Sequence, residues 1–143
     1  MSNFSTTIEI QAPAERVWAV MRDVERWSEW TTTVSSIKKM DNGPIKVGSR
    51  ILIRQPKLPP AMWRVIELEE GKSFVSVTGS LLVRVKARHW LEPNQTGTEV
   101  TLSIQFSGLL GSLAARLTRV LNERYLAIEA NGLKQRCEST IGH

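Results

Sequence analysis

Three side chains in this sequence are suited to acid–base or anion-binding chemistry inside a protein: His89, Arg124 and Tyr125. His89 shares its side of an alternating pattern with Val85 and Leu91, which predicts that its ring faces the interior. An interior imidazole can act as a general acid or base, or donate a hydrogen bond to a ligand carbonyl. The alternative is a structural histidine that a backbone carbonyl or a serine satisfies.

Arg124 interrupts an apolar stripe, because it follows Leu117 by seven positions and Leu121 by three. A buried guanidinium needs an anionic partner, so this spacing predicts pairing with a ligand carboxylate, enolate or phosphate. Pairing with an internal glutamate, or extension of the head group to solvent, is the alternative. An amphipathic ligand would then have its tail near Leu113. Tyr125, the single tyrosine, lies at the edge of the stripe and either donates to a ligand or fills the helix–sheet junction.

Trp30 and Trp63 are interpreted in the same way, either stacking on a ring-shaped ligand or packing in the core. No carboxylate is placed in the predicted interior. The catalytic candidates are therefore His89, Arg124 and Tyr125. The predicted ligand-binding residues are Trp30, Ile53, Trp63, His89, Leu91, Phe106, Leu113, Leu117, Leu121 and Arg124.

The elements that would position these residues follow from hydrophobic periodicity. Residues 3–11 alternate as a half-buried strand, and two short helices follow it. Further strands are predicted at 33–40, 49–55, 61–69, 72–79, 82–92 and 98–107. Apolar residues then recur at intervals of three and four residues, which predicts one long amphipathic helix from about 110 to 137. This order predicts a single α+β domain over residues 1–143, with a mainly antiparallel sheet.

A sheet of six to seven strands is much wider than one helix, so it must curl around the C-terminal helix. The margins are then either filled by large side chains or left as a cavity, and the five tryptophans suit either role.

The composition excludes several classes of protein. With 143 residues and 41% hydrophobic residues, the chain is long and apolar enough for one folded domain. A single cysteine, Cys137, excludes an internal disulfide and, without His or Cys neighbours, a zinc site. Because the N-terminus lacks signal-peptide features and no stretch suits a membrane span, we expect a cytoplasmic protein without stable membrane insertion. No metal or cofactor is expected.

The net charge of +5 raises the question of an anionic partner. Arg84, Lys86 and Arg88 form a basic row on the outer face of one predicted strand. No phosphate-binding loop, RNP-type aromatic pair or helix-turn-helix pattern accompanies this row, so no nucleic-acid partner is expected. The row is interpreted as a solvated face or a guard against edge pairing, with attraction to an anionic membrane surface as the alternative.

Five segments together resemble one family: residues 10–18 (IQAPAERVW), 23–30 (DVERWSEW), 87–93 (ARHWLEP), 97–101 (GTEVT) and 106–110 (FSGLL). They are similar to the polyketide cyclase/dehydrase group of the START-like (SRPBCC, helix-grip) superfamily. The resemblance implies a curved antiparallel sheet around a long C-terminal helix, with a deep and mostly apolar cavity between them. Members bind lipids, sterols, polyketides or plant-hormone-like molecules, and some catalyse aldol cyclisation or dehydration.

Two functions remain open at this point. The first is binding of a small hydrophobic or amphipathic molecule, lipid-like or polyketide-like, in the internal cavity. The alternative is a polyketide cyclase or dehydratase in which His89 and Arg124, with or without Tyr125, surround a polyketone. Either function is compatible with a monomer or a homodimer.

Overall fold

The computed structural model describes residues 2–139 and has the predicted order of strands and helices. The strands are β1 (Ser2–Ile10), β2 (Ser36–Lys39), β3 (Arg50–Arg54), β4 (Ala61–Glu69), β5 (Ser73–Gly79), β6 (Arg84–Pro93) and β7 (Thr98–Ser107). The helices are α1 (Ala14–Arg22), a 3₁₀ helix (Val24–Glu29), α2 (Gly111–Leu117) and α3 (Arg119–Ser139).

The seven strands form one antiparallel sheet in the order β1-β7-β6-β5-β4-β3-β2. Strands β2 to β7 follow one another as a meander, and β1 then pairs with β7 at the far edge, with Ile8 opposite Val100. A bulge between Val65 and Glu67 interrupts the β4–β5 register, and a bulge of this kind bends the strand locally. The predicted α+β class with a seven-stranded sheet and a C-terminal helix is confirmed.

The core lies between the apolar face of the sheet and the helices. Its helical contributions are Val17, Trp18, Met21, Val24, Trp27, Leu126, Ala130, Leu133 and Cys137. The sheet contributes Ile10, Ile51, Val65, Phe74, Leu91, Val100 and Leu102. These side chains fill the space beneath α1 and the C-terminal half of α3.

The predicted long C-terminal helix is confirmed as α3, but it begins at Arg119 rather than near residue 110, because an irregularity at Thr118 separates it from the shorter α2. The Thr118 hydroxyl donates to the Ala114 carbonyl over 2.7 Å and accepts from the Asn122 side-chain amide over 2.8 Å. A threonine that bonds back to the preceding turn competes with the helical ladder and bends the helix. The apolar stripe of the sequence therefore does not continue along one helical face.

The expectation that the leucines of α2 face the interior was wrong. The buried residues of α2 are Gly111 and Ala115, whereas Leu113 and Leu117 are exposed. Gly111 and Ala115 lie about one helical turn apart and share the face of α2 that packs on β7. Leu113 and Leu117 each lie two positions further on, about 200° around the helix, so the leucines turn outward.

Candidate functional site

A cavity of about 360 Å³ lies between the inner face of the sheet, the α2–α3 junction and the β3–β4 loop. Its walls are mostly apolar, with Ile51, Ile53, Trp63, Val85, Ile104 and Phe106 on the strands. A few polar side chains interrupt these walls, among them Ser76, His89, Ser103, Asn122 and Glu129. Small-molecule sites in proteins have this character: a concave apolar surface with a small number of fixed polar groups.

His89 and Glu129 form the ionisable pair of the cavity wall. The His89 Nε2 atom lies 3.2 Å from the Glu129 Oε1 atom, which joins β6 to α3. The imidazole stacks on the Phe74 ring, with ring centroids 4.6 Å apart and an angle of 8° between the ring planes. The Trp27 ring also packs on the imidazole, with ring centroids 5.2 Å apart. The prediction that His89 is interior is confirmed, but its partner is a carboxylate rather than a backbone carbonyl or a serine.

The hydrogen bond to Glu129 uses only one nitrogen of the imidazole. An ionised carboxylate only accepts hydrogen bonds, so an ionised Glu129 accepts from the Nε2–H group of His89. The other ring nitrogen, Nδ1, is buried and makes no hydrogen bond within residues 2–139. The ring is therefore fixed in place by its neighbours and has one nitrogen without a hydrogen-bond partner in that range.

Sequence reasoning missed Glu129, because it placed no carboxylate in the interior. Glu129 lies three positions after Leu126 and four before Leu133, and both of these leucines are buried. That spacing puts the carboxylate on the core-facing side of α3. The signal was present in the C-terminal half of the helix, but the leucine-rich first half set the wrong helical phase.

Trp63 contributes a second polar group whose hydrogen bonding is incomplete. It belongs to the cavity wall, and its buried indole Nε1 atom has no acceptor in the described part of the chain. A buried donor without a partner costs about 1–3 kcal/mol. The wall thus contains an N–H group that an oxygen atom of a bound molecule would satisfy.

The structure brings part of the predicted ligand-binding set together. Ile53, Trp63, His89 and Phe106 line the cavity, as does the catalytic candidate Tyr125. Whether these side chains contact a ligand stays a prediction.

The other predicted residues lie outside the cavity wall. Leu91 is buried in the core, and Trp30 packs on Trp27 with ring centroids 5.8 Å apart. Leu121 is half-buried but does not line the cavity, and Leu113 and Leu117 are exposed for the reason given above.

The expected position of Arg124 was wrong. Arg124 is exposed on α3. It lies two positions after the buried Asn122, about 200° around the helix at 100° per residue. Because the break at Thr118 separates the leucine stripe from the core-facing side of α3, spacing counted from Leu117 does not predict burial. The guanidinium faces away from the cavity, so it is withdrawn as a ligand anchor and as a catalytic candidate.

The proline-rich loop between β3 and β4 forms one rim of the cavity through Leu58 and Pro59. The Tyr125 hydroxyl donates to the Pro56 carbonyl and so connects this loop to α3. Lys57 adopts a positive φ of 68°, a conformation that non-glycine residues seldom adopt. The loop is therefore held against the helix by a specific contact.

Cys137 is buried in the core and does not line the cavity. Burial raises the pKa of the Cys137 thiol to about 11, so this side chain is not a nucleophile. Between residues 2 and 139, no three His, Cys, Asp or Glu side chains are grouped so that they could hold a metal ion. In the same range no helix has both the length and the apolar character that crossing a membrane requires. The second histidine, His143, lies outside the described residues.

Solved structures similar to this chain share its fold. A protein from Thermobifida fusca superposes with a TM-score of 0.78 at 20% identity, over 100% of this chain and 97% of the other. The Zhui aromatase/cyclase from Streptomyces sp. R1128 superposes with a TM-score of 0.79 at 14% identity, over 98% of this chain and 95% of the other. The di-domain aromatase/cyclase StfQ of the steffimycin pathway superposes with a TM-score of 0.76 at 11% identity, over 99% of this chain and 52% of the other. At these identities the likeness concerns the fold alone.

Among curated proteins, no sequence is similar enough to count as a match. A family model described as "Polyketide cyclase / dehydrase and lipid transport" matches residues 1–138, nearly the whole chain. The protein therefore belongs to the polyketide cyclase/dehydrase and lipid transport family.

Proposed function

We propose that this protein binds an amphipathic, ring-containing small molecule in the cavity between the sheet and the C-terminal helices. The observation that carries the proposal is the cavity itself, a mostly apolar space of about 360 Å³. Its wall holds the indole N–H of Trp63, which has no acceptor within residues 2–139. Small-molecule sites have volumes of about 300–1,000 Å³. The family description and the aromatase/cyclase neighbours support a ligand of lipid or polyketide character.

The polar groups of the wall favour an oxygenated ligand over a pure hydrocarbon. Trp63 offers a donor, and His89 with Glu129 offers a second polar point on the wall. Aromatic and branched side chains between them suit a flat ring system. A hydroxylated or carbonyl-bearing aromatic molecule matches both features.

The test compares two probes, 1,8-dihydroxyanthraquinone and anthracene, by quenching of tryptophan fluorescence. Trp63→Phe removes the donor and keeps an aromatic ring, so affinity for the anthraquinone should fall about fivefold, the value of one hydrogen bond. Affinity for anthracene should change little. Trp90→Phe is the matched control, because Trp90 points to the opposite face of β6, where Arg88 covers its ring.

Two results would contradict this proposal. The first is that neither probe binds the wild-type protein and that native mass spectrometry finds no co-purified small molecule. The second is that Trp63→Phe leaves the affinity for the anthraquinone equal to that of the Trp90→Phe control.

The His89–Glu129 pair favours a second candidate, an acid–base reaction on a bound polyketone. A base removes a proton α to a ketone, the resulting enolate attacks a second carbonyl, and the conjugate acid of the base protonates the new alkoxide to give a β-hydroxyketone. The base then removes a second α-proton, a C=C bond forms, and the conjugate acid protonates the departing hydroxyl, which leaves as water. A histidine hydrogen-bonded to a carboxylate can take up a proton and return it in each of these two steps. The carboxylate stabilises the imidazolium in between.

Exchange of the α-protons of benzoylacetone in D₂O, followed by NMR, tests this candidate without a full cyclisation substrate. His89→Gln and Glu129→Gln should each slow the protein-dependent exchange by about 10²-fold or more, the usual size of general-base effects. Glu123→Gln, on the exposed side of α3, is the control. If benzoylacetone binds but the wild-type protein does not accelerate its exchange, the pair orients a ligand and the binding function stands alone.

A further inference from the structure

A cluster of leucines beside the cavity is exposed, and nothing within residues 2–139 covers it. It consists of Leu81, Leu82, Leu109, Leu110, Leu113 and Leu117, and we refer to it as the leucine cap. Leu81 is 88% exposed, Leu109 is 83% exposed and Leu117 is 76% exposed. Scattered exposed leucines are normal on protein surfaces, but six large apolar side chains in one place are typical of an interaction site.

The cap is held together by backbone contacts rather than by loose loops. The Leu109 amide donates to the Leu81 carbonyl over 3.2 Å, and the Leu110 amide donates to the Leu82 carbonyl over 2.7 Å. Gly108 allows this approach with a φ of 98°, since a Cβ atom there would lie 2.6 Å from the Leu82 carbonyl oxygen. The β5–β6 turn and the start of α2 therefore present their leucines as one fixed surface.

The two segments of the chain that carry the cap are basic. Residues 73–91 and 100–122, which contain the cap, include five basic residues and no acidic residue. Arg84 follows the β5–β6 turn directly, and Arg116 and Arg119 flank Leu117 at the α2–α3 junction. All three arginines are exposed. This combination is complementary to the surface of an anionic lipid bilayer. The apolar side chains suit the acyl chains, and the arginines suit the anionic headgroups.

The cap also adjoins the cavity along the chain. Val83, Ala114 and Thr118 line the cavity, and each is the immediate neighbour of a leucine of the cap. We infer that the leucine cap and its flanking arginines dock this protein peripherally on an anionic membrane. In that position the end of the cavity bounded by α2 and the β5–β6 turn lies close to the lipid surface.

Co-sedimentation with vesicles tests the inference. The wild-type protein should bind vesicles of phosphatidylcholine with about 30% phosphatidylserine, and bind weakly to phosphatidylcholine alone or in high salt. Leu81→Ser/Leu109→Ser should lower partitioning by at least about tenfold, because both leucines insert into the acyl region. Met40→Ser/Val47→Ser, which replaces exposed apolar residues near the opposite sheet edge, is the matched control.

The contribution of charge is tested separately. Arg116→Gln/Arg119→Gln should weaken binding to the anionic vesicles and flatten its salt dependence. Lys38→Gln/Lys72→Gln removes the same charge away from the cap and should have a smaller effect. Equal losses in the two double variants would show that only the overall net charge matters, and the assignment to this surface would then be wrong.

Two further outcomes would overturn the inference. One is the absence of vesicle binding by the wild-type protein. The other is a wild-type dimer in light scattering that Leu81→Ser/Leu109→Ser converts to a monomer, which would assign the cap to a contact between two copies. The anthraquinone assay on the same variant separates this inference from the cavity proposal, because loss of docking should leave affinity for the probe in solution unchanged.

Discussion

Replacement of Gly132 by alanine tests how tightly α3 packs on the segment that carries Trp27 and Trp30. Gly132 lies within α3, where helix propensity alone favours alanine over glycine by about 1 kcal/mol. A Cβ atom at this position would, however, lie 2.1 Å from the Trp30 carbonyl oxygen. Contacts below 3.0 Å essentially never occur for real Cβ atoms, so the two backbones must separate by about 1 Å.

For Gly132→Ala we expect the cost of the close contact to exceed the gain in helix propensity. Overpacking of a close contact costs about 1–3 kcal/mol. We expect a cost near the upper end, about 3 kcal/mol, here, because the added Cβ meets the backbone of Trp30 rather than a flexible side chain. After the gain in helix propensity, Gly132→Ala should lower the free energy of unfolding by about 2 kcal/mol. For a protein of this size that corresponds to a fall in Tm of about 6 °C.

Urea unfolding followed by tryptophan fluorescence, with a thermal melt by circular dichroism, measures the effect. Asn131→Ala is the matched control, since Asn131 is the exposed neighbour and alanine there should stabilise by up to about 0.7 kcal/mol. If Gly132→Ala is as stable as Asn131→Ala, the close approach of α3 to Trp30 does not exist in solution.

Three further predictions concern single side chains. The backbone N–H of Gln11, followed by the Lys134 ammonium, lowers the pKa of Glu138, so its ionised form stabilises the fold above the ordinary pKa of about 4.3. At neutral pH the free energy of unfolding of Glu138→Gln should therefore be lower than that of the wild-type protein. This difference should disappear as the pH falls through the lowered pKa of Glu138. Cys137, with a pKa raised to about 11 by burial, should resist a thiol reagent at about pH 8 and react at once in urea. Tyr125→Phe removes the contact of the tyrosine hydroxyl with the β3–β4 loop, so hydrogen exchange should accelerate at Lys57 and Leu58 with less than about 1 kcal/mol of global destabilisation.

Strands were the most predictable part of this fold, because alternation on a half-buried sheet is a strict signal. The predicted limits of β4 (61–69) and β7 (98–107) agree with the structure, and the interior position of His89 followed from the same alternation.

The C-terminal helices were the least predictable part. Apolar periodicity locates a stripe, but it does not say whether that stripe or the small-residue face beside it meets the sheet. In α2 the small residues Gly111 and Ala115 face the sheet, so Leu113 and Leu117, on the other side of the helix, face solvent. The position of Arg124 was predicted from those leucines and was wrong for the same reason. Glu129 was missed because a carboxylate is assumed to face water unless a partner is known.

The pairing of β1 with β7 has a consequence for the order in which the protein folds. Thr7 and Thr101 share a side-chain hydrogen bond although 94 residues separate them. At synthesis rates of about 5–20 residues per second, β1 emerges from the ribosome some 5–20 s before its partner strand. Strands β2 to β6 can form hairpins with their neighbours as they appear, whereas β1 must wait. We therefore expect a slow final step that docks β1 and α3 together, and a nascent chain that cannot hold a ligand until nearly all of it has been made.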